Sequence, residues 1–272
     1  MNQKLMNNNP SNTLLNIAIE AALMAGHEIL AVYESGDFSV EAKADGSPLT
    51  RADKLAHAKI AAKLEKTGVP ILSEEGRTIP FAERAAWGRL WIVDPLDGTK
   101  EFISCNGEFT VNIALVENGT PVLGIIYVPD LHELFYGVVD QGALKVEGAN
   151  GFDNIGELLA TAILLPLKHD ATTYRVAVSR SHMNERTISF IDSLREEHPG
   201  LEIMQLGSSL KFCMAASGEA DIYPRFGPTM EWDTAAGHAI ALAAGKRMEK
   251  ADDEGEITYN KENLLNPYFI VR

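Results

Sequence analysis

The chain predicts an α+β protein that passes into an α/β one: an antiparallel N-terminal sheet with helices, then a smaller lobe of alternating strands and helices. Three observations carry this. Apolar residues recur at helical spacing near the N-terminus. Short apolar runs separated by Gly-containing turns fill the middle, from Phe109 to Val146. From Tyr174 onward, strand-like and helix-like segments alternate.

The opening MNQKLMNNNPSN has one Lys and no apolar core, so residues 1–10 read as a disordered leader and not as a signal peptide. Leu14, Ile17, Ala18, Ala21, Ala25 and Ile29 predict a helix from Ser11 to Tyr33, capped by Ser11 or Asn12 and broken at Gly36-Asp37. Phe38–Lys43 alternates like a strand and ends in the turn cluster Ala44-Asp45-Gly46-Ser47-Pro48. Leu55, Ile60 and Leu64 form the apolar side of a second helix, about Arg51 to Lys66. An apolar run, VPILS, leads to Glu74-Glu75-Gly76.

Leu90–Val93 reads as a short buried strand. Phe109–Val116 and Val122–Val128 flank Asn118-Gly119, a strong hairpin signal. Glu133–Val139 and Ala143–Val146 form the next hairpin, so this region predicts an antiparallel meander. Beyond it, strands at Tyr174–Ser179, Leu201–Leu206 and Asp221–Arg225 alternate with helices at Asn184–Glu197, Ser209–Ser217 and Trp232–Ala244. The expected division is an α+β metal-binding lobe over 11–165 and an α/β substrate lobe over 166–272. The seam lies at Pro166–Thr173, and the two lobes form one catalytic unit.

Composition narrows the function. With 46% apolar and 23% charged residues the chain is globular. A net charge of −14 disfavours nonspecific binding to nucleic acid or to anionic membrane, so no nucleic-acid partner is expected. No uninterrupted apolar run reaches the ~20 residues of a membrane span. The two cysteines, Cys105 and Cys213, have no CxxC spacing and read as reduced packing thiols of a cytoplasmic protein.

The chemistry concentrates in WIVDPLDGTKEF, Trp91 to Phe102. Asp94 and Asp97 stand at the end of an apolar strand, and Gly98-Thr99 follows where a helix can begin. Carboxylates suit a hard cation, and helix-start amides suit an anion; a phosphate held by cations needs both. Glu74, Glu75 and Asp233 are further acids at the ends of apolar elements, with no Lys or Arg run as an evident partner. Such groups repel unless protonated or neutralised by cations. Oxygen-only ligands suit Mg²⁺, Mn²⁺ or Ca²⁺ more than zinc. Taken singly, each has a plainer reading. Asp233 and Asp53 are ordinary helix-start caps, Glu74 and Glu75 solvated loop acids, and Asp94-x-x-Asp97-Gly98 a turn. The case for a cation site is their joint occurrence.

Glu74-Glu75, Asp94-Pro95-Leu96-Asp97-Gly98-Thr99 and Trp232-Asp233-Thr234-Ala235-Ala236-Gly237 together resemble the inositol monophosphatase superfamily, in order and across nearly the whole chain from Ser11. LDGTKEF, NGEFTVNIAL from Asn106, GSSLKFC from Gly207 and YPRFGPT from Tyr223 look like its bacterial 3′(2′),5′-bisphosphate nucleotidase branch. His238 stands where many members of the superfamily have Asp, which is compatible with that branch.

The resemblance implies a layered α-β-α-β-α sandwich and a lithium-sensitive, Mg²⁺-dependent phosphatase. Its expected substrate is adenosine 3′,5′-bisphosphate, a by-product of sulfate activation. By motif, Glu74, Asp94 and the Leu96 carbonyl would hold one Mg²⁺. Asp94, Asp97 and Asp233 would hold a second, and Glu75 would sit behind them or serve a third, weaker ion. Thr99 would orient the attacking water, with Asp53 as its acceptor or as the base. The Gly98 and Thr99 amides would hold phosphoryl oxygens. Weaker expectations are that the small residues Gly207-Ser208-Ser209, between a strand and a helix, let the substrate approach the backbone, that Lys211 and Arg225 meet the second phosphate, and that Tyr223 meets the sugar or base. Their plainer readings are a cap for the serines and solvated cations for Lys211 and Arg225. Ser179-Arg180-Ser181-His182 is a further candidate for phosphate or ribose. The resemblance implies a cytoplasmic enzyme; peripheral contact with the inner membrane occurs among relatives, and nothing in this chain demands it. Two alternatives remain open: a phosphatase for inositol phosphates or sugar bisphosphates, and a non-catalytic cation-binding protein.

Overall fold

The computed structural model describes residues 10–43, 46–151, 154–167 and 173–272. The expected leader, apart from Pro10, and most of the expected seam lie outside the described residues.

Helix α1 (Pro10–Ser35) starts and ends slightly beyond its sequence limits. The strand expected at Phe38–Lys43 shrinks to β1 (Glu41–Ala42), paired with β2 (Pro48–Leu49). Both β1 residues are exposed, so the alternation there buries no face. Helix α2 (Arg51–Leu64) packs along α1. Alanines 18, 21, 22 and 25 of α1 and 52 and 56 of α2 are all buried, which lets the two backbones approach. Ion pairs Lys59–Glu28 (2.9 Å) and Lys63–Glu20 join their outer edges. By length and composition, Thr13–Ser35 of α1 could cross a membrane, yet half of its most apolar window is buried inside the protein. It is a core helix here.

Seven strands form the large sheet. In chain order they are β3 (Ile71–Ser73), β4 (Arg89–Asp97), β5 (Thr110–Glu117), β6 (Thr120–Val128), β7 (Glu133–Val138), β8 (Gly142–Val146) and β9 (Ile163–Leu165). They lie side by side in that order, with β3–β4 parallel and the rest antiparallel. The predicted meander is therefore present. Asn118 and Gly119 both take positive φ, as the tight β5–β6 turn requires. Short helices α3 (Phe81–Arg84), α4 (Thr99–Ile103) and α5 (Ile155–Ala160) lie in the connections.

Both faces of this sheet are covered, which is why its strands read as continuous apolar runs. Trp91, Val93, Val111, Ile113 and Leu115 point into the core under α1 and α2. Leu90, Ile92, Ala114 and Val116 point into a second core. That core is closed by α7 (Leu210–Ser217) and α8 (Glu231–Ala243). Behind these helices lie β10 (Arg175–Ser179), β11 (Glu202–Leu206), β12 (Tyr223–Arg225), β13 (Met248–Lys250) and β14 (Phe269–Val271). β10 and β11 pair in parallel, β12-β14-β13 is antiparallel, and a bridge from Val176 to Ile222 joins the two sets. Helix α6 (Glu185–Glu197) caps the outer face through Ile191 and Leu194. The layers run α-β-α-β-α. The C-terminal strands β13 and β14, too short to show a period, were not legible in the sequence.

Candidate active site

Strand β4 does not stop at Val93, as the sequence suggests. It continues through Asp97, with a bulge between Asp94 and Asp97 where the register to β5 shifts. A bulge re-aims side chains. Asp94 is 1% exposed: Oδ1 accepts the Leu96 N–H at 3.1 Å, and Oδ2 has no partner among the described residues. Glu74 follows β3, and its N–H is anchored on the Val93 carbonyl at 3.1 Å. Asp233 lies in the first turn of α8, where Oδ2 accepts the Met230 N–H at 2.7 Å. Asp233 thus helps to start the helix and lines the cleft at once.

Glu74, Asp94 and Asp233 each offer a carboxylate oxygen, and these atoms lie within 4.8 Å of one another. Burial, then the charges of Glu74, Asp97 and Asp233, drives the Asp94 carboxyl well above the usual carboxylate range. Burial and Asp97 push Asp233 up to about 8. Glu74 is also raised, mainly by burial. An oxygen-only set with one buried, unsatisfied carboxylate oxygen and mutually repelling charges fits a hard divalent cation.

Asp97 lines the same cleft but is held differently. Its Oδ2 accepts hydrogen bonds from Ser208 Oγ (2.7 Å) and Ser209 Oγ (2.9 Å). Ser209 Oγ also accepts from Asn112 Nδ2 at 2.8 Å, and Ser208 Oγ meets Thr110 Oγ1 at 2.6 Å. The two serines, expected at the substrate, are engaged in orienting Asp97. Thr110 and Asn112 were missed, although two polar residues inside the apolar run FTVNIAL are a signal that could have found them.

Asp53 combines two roles. Thr50 is the N-cap of α2, and its N–H and hydroxyl donate to Asp53 Oδ2 at 2.7 and 2.5 Å. The other oxygen, Oδ1, lies 3.4 Å from Thr99 Oγ1, which is also 3.3 Å from the Leu96 carbonyl. Burial raises the Asp53 carboxyl. Gly98 caps α4 at φ 86, and a Cβ there would meet the Glu108 carbonyl at 3.0 Å and Ser208 Cβ at 3.2 Å. Glycine is the residue that fits.

One expectation is overturned. The acids are not without a basic partner: Lys43 Nζ donates to Glu74 Oε1 at 2.7 Å and to Glu75 Oε1. Lys43 is 31 residues upstream of Glu74 and carries no local signal.

The same cleft is also lined by cations. Lys211 is 4% exposed, and its Nζ donates to the carbonyls of Leu206 (3.1 Å) and Ser208. Burial pulls it down to about 8. Arg225 is buried, with Nη2 on the Pro228 carbonyl at 3.0 Å and Nε without a partner among the described residues. Lys211 and Arg225 are therefore not solvated cations. Tyr223 is buried beneath Lys211, whose Nζ is 5.8 Å from its ring centroid. Ser179 and His182 line the cleft. Arg180 does not; it pairs with Glu108 at 2.6 Å. Gly207 packs closely against Glu101 and Glu108, leaving no room for a Cβ. The cleft has a volume of about 230 Å³ and is lined by both the carboxylates and the cations. Cys213 is buried as expected for packing, whereas Cys105 is exposed.

A model of the inositol monophosphatase family matches residues 11–268, and the chain belongs to that family. Within it, the chain is similar to the 3′(2′),5′-bisphosphate nucleotidase CysQ of Salmonella typhimurium: 41% identical, covering 95% of this chain and 99% of that protein. The Haemophilus influenzae protein of the same name is 34% identical, covering 95% of this chain and 92% of that protein. Among solved structures, CysQ from Bacteroides thetaiotaomicron superposes with a TM-score of 0.87 at 50% identity, covering 94% of this chain and 95% of that one.

Proposed function

We propose that this protein is a Mg²⁺-dependent 3′(2′),5′-bisphosphate nucleotidase that hydrolyses the 3′-phosphate of adenosine 3′,5′-bisphosphate to give AMP and phosphate. One observation carries the reading. A single cleft joins a carboxylate cluster around the buried Asp94, which has an unsatisfied oxygen, to two buried cations, Lys211 and Arg225. The carboxylates suit a phosphate presented through divalent cations, and the two cations suit another anionic group directly. A bisphosphate fits that asymmetry, and the likeness to bisphosphate nucleotidases supports the same substrate. The cytoplasm, where sulfate activation releases this nucleotide, is the expected compartment.

Glu74, Asp94 and the Leu96 carbonyl would hold one Mg²⁺. Asp94, Asp97 and Asp233 would hold another, with Glu75 beside a weaker third. When bound, these ions supply charge neutralisation and acidify a water. The protein's groups do the rest. Thr99 Oγ1 accepts a hydrogen bond from the attacking water and passes its own proton toward Asp53 Oδ1. Burial raises the proton affinity of Asp53, which suits an acceptor. Ser208 and Ser209 hold Asp97 in place. The Gly98 and Thr99 amides steady phosphoryl oxygens while water attacks in line with the departing 3′-oxygen.

The test is phosphate release from adenosine 3′,5′-bisphosphate against inositol 1-phosphate in Mg²⁺. The nucleotide should be preferred by kcat/KM. A wide preference for the inositol ester would sink the reading in favour of an inositol phosphatase. Metal binding without turnover of either, unaffected by Thr99→Ala, would indicate a non-catalytic cation binder.

A further inference from the structure

The cleft contains one carboxylate that neither the metal cluster nor the phosphates account for. Glu101 lies in α4, two residues beyond Thr99, and lines the cleft. It is 9% exposed. Its Oε1 accepts the Ser181 hydroxyl at 2.7 Å. Its Oε2 has no hydrogen-bond partner among the described residues, yet is not sealed away from solvent. The surroundings are built to keep it there. A Cβ on Gly207 would fall 2.7 Å from Glu101 Cγ, so that position has no room for a side chain.

A carboxylate in a cleft meant for anions weakens the binding of every phosphate nearby. Lys100, Lys211 and Arg225 line the same cleft, so the cations still outnumber it. What a single buried, half-satisfied carboxylate adds is an acceptor with no donor of its own. It rewards a neutral N–H or O–H group on the ligand and penalises a ligand that lacks one, because its oxygen would then be desolvated without a partner.

We infer that Glu101 Oε2 is a specificity-determining acceptor, taking a hydrogen bond from a neutral donor on the nucleoside, either a sugar hydroxyl or the amino group of the base. This rests on the nucleotide-bisphosphate reading above. Through Glu101 the cleft reads the nucleoside as well as its phosphates. A ligand with a third anionic group in that position meets repulsion.

The experiment compares kcat/KM for adenosine 3′,5′-bisphosphate with that for its 2′-deoxy analogue and for its hypoxanthine analogue, which carries a ring carbonyl where adenine carries the amino group. Each is measured in the wild type, in Glu101→Met and in Glu101→Gln. Glu101→Ala replaces the Met variant if that one does not fold. The wild type should prefer the full substrate over one analogue by about 10-fold or more. That preference should fall to within about 2-fold in Glu101→Met and be intermediate in Glu101→Gln, which keeps an acceptor. Which analogue shows the effect identifies the donor, sugar or base. Affinities measured by calorimetry with Ca²⁺ in place of Mg²⁺ should follow the same ratios. Unchanged ratios in the Met or Ala variant for both analogues overturn the inference. So does a wild type indifferent to both changes. A wild type that turns over inositol 1-phosphate better than any of these nucleotides overturns the nucleotidase reading instead.

Discussion

Replacing Asp233 with Asn should stabilise the metal-free protein while impairing the enzyme. Asp233 is pushed from an ordinary 3.8 up to about 8, first by burial and then by Asp97. A carboxyl raised in the folded state contributes most below the unfolded value and costs stability as pH climbs toward the folded one. At pH 7 the full linkage is about 4 kcal/mol, and by pH 5 about 1.5 kcal/mol. Glu74, Asp94 and Asp97 share the repulsion, so removing one charge recovers about half, roughly 2 kcal/mol at pH 7. Asn keeps an oxygen to accept the Met230 N–H, so the helix start survives. In EDTA at pH 7, Asp233→Asn should melt about 4 °C above the wild type or more, and the gap should shrink toward pH 5. Adding Mg²⁺ should reverse the order, since an ion at 100 times its dissociation constant stabilises the wild type by about 2.7 kcal/mol and the variant by less. Melting curves across pH, with EDTA and with Mg²⁺, decide it. A variant less stable than wild type in EDTA at pH 7, or a gap independent of pH, refutes the reasoning.

Further outcomes follow from the same geometry. Thr99→Ala should lower kcat by about 100-fold or more while leaving Mg²⁺ binding by calorimetry little changed. Lys43→Met removes the ammonium between Glu74 and Glu75 and should cost about 1–3 kcal/mol in EDTA, read by chemical denaturation, with a larger rescue by Mg²⁺ than in the wild type. Gly207→Ala should destabilise by about 1–3 kcal/mol, through contact with Glu101 and Glu108. His238, buried against the Tyr259 hydroxyl at 3.1 Å, is held down to about 4. Its contribution is present above the ordinary value of 6.5 and is lost as pH falls toward 4. Measured by urea unfolding, the stability of the wild type relative to His238→Gln should fall by about 2 kcal/mol between pH 7 and pH 5; a difference independent of pH refutes it.

The sequence alone determined the layered class, the hairpins of the central sheet and the positions of the main acids. Apolar period, Asn118-Gly119 and the spacing of Asp94, Asp97 and Gly98 are local properties, and local sterics and hydrogen bonding act on neighbours in the chain. Tertiary structure decided what those residues meet. Strand β4 runs past Asp94 only because β5 continues to pair with it. Lys43 reaches Glu74 and Glu75 across 31 and 32 residues, and Ser208 reaches Asp97 across 111. Glu101, an unremarked acid in LDGTKEF, becomes a candidate reader of the nucleoside only when Ser181 and Gly207 close around it. Side-chain partnership at such separations depends on how the layers stack. The energy that fixes the stacking comes from apolar burial, which is non-directional and leaves no pairwise mark in the sequence.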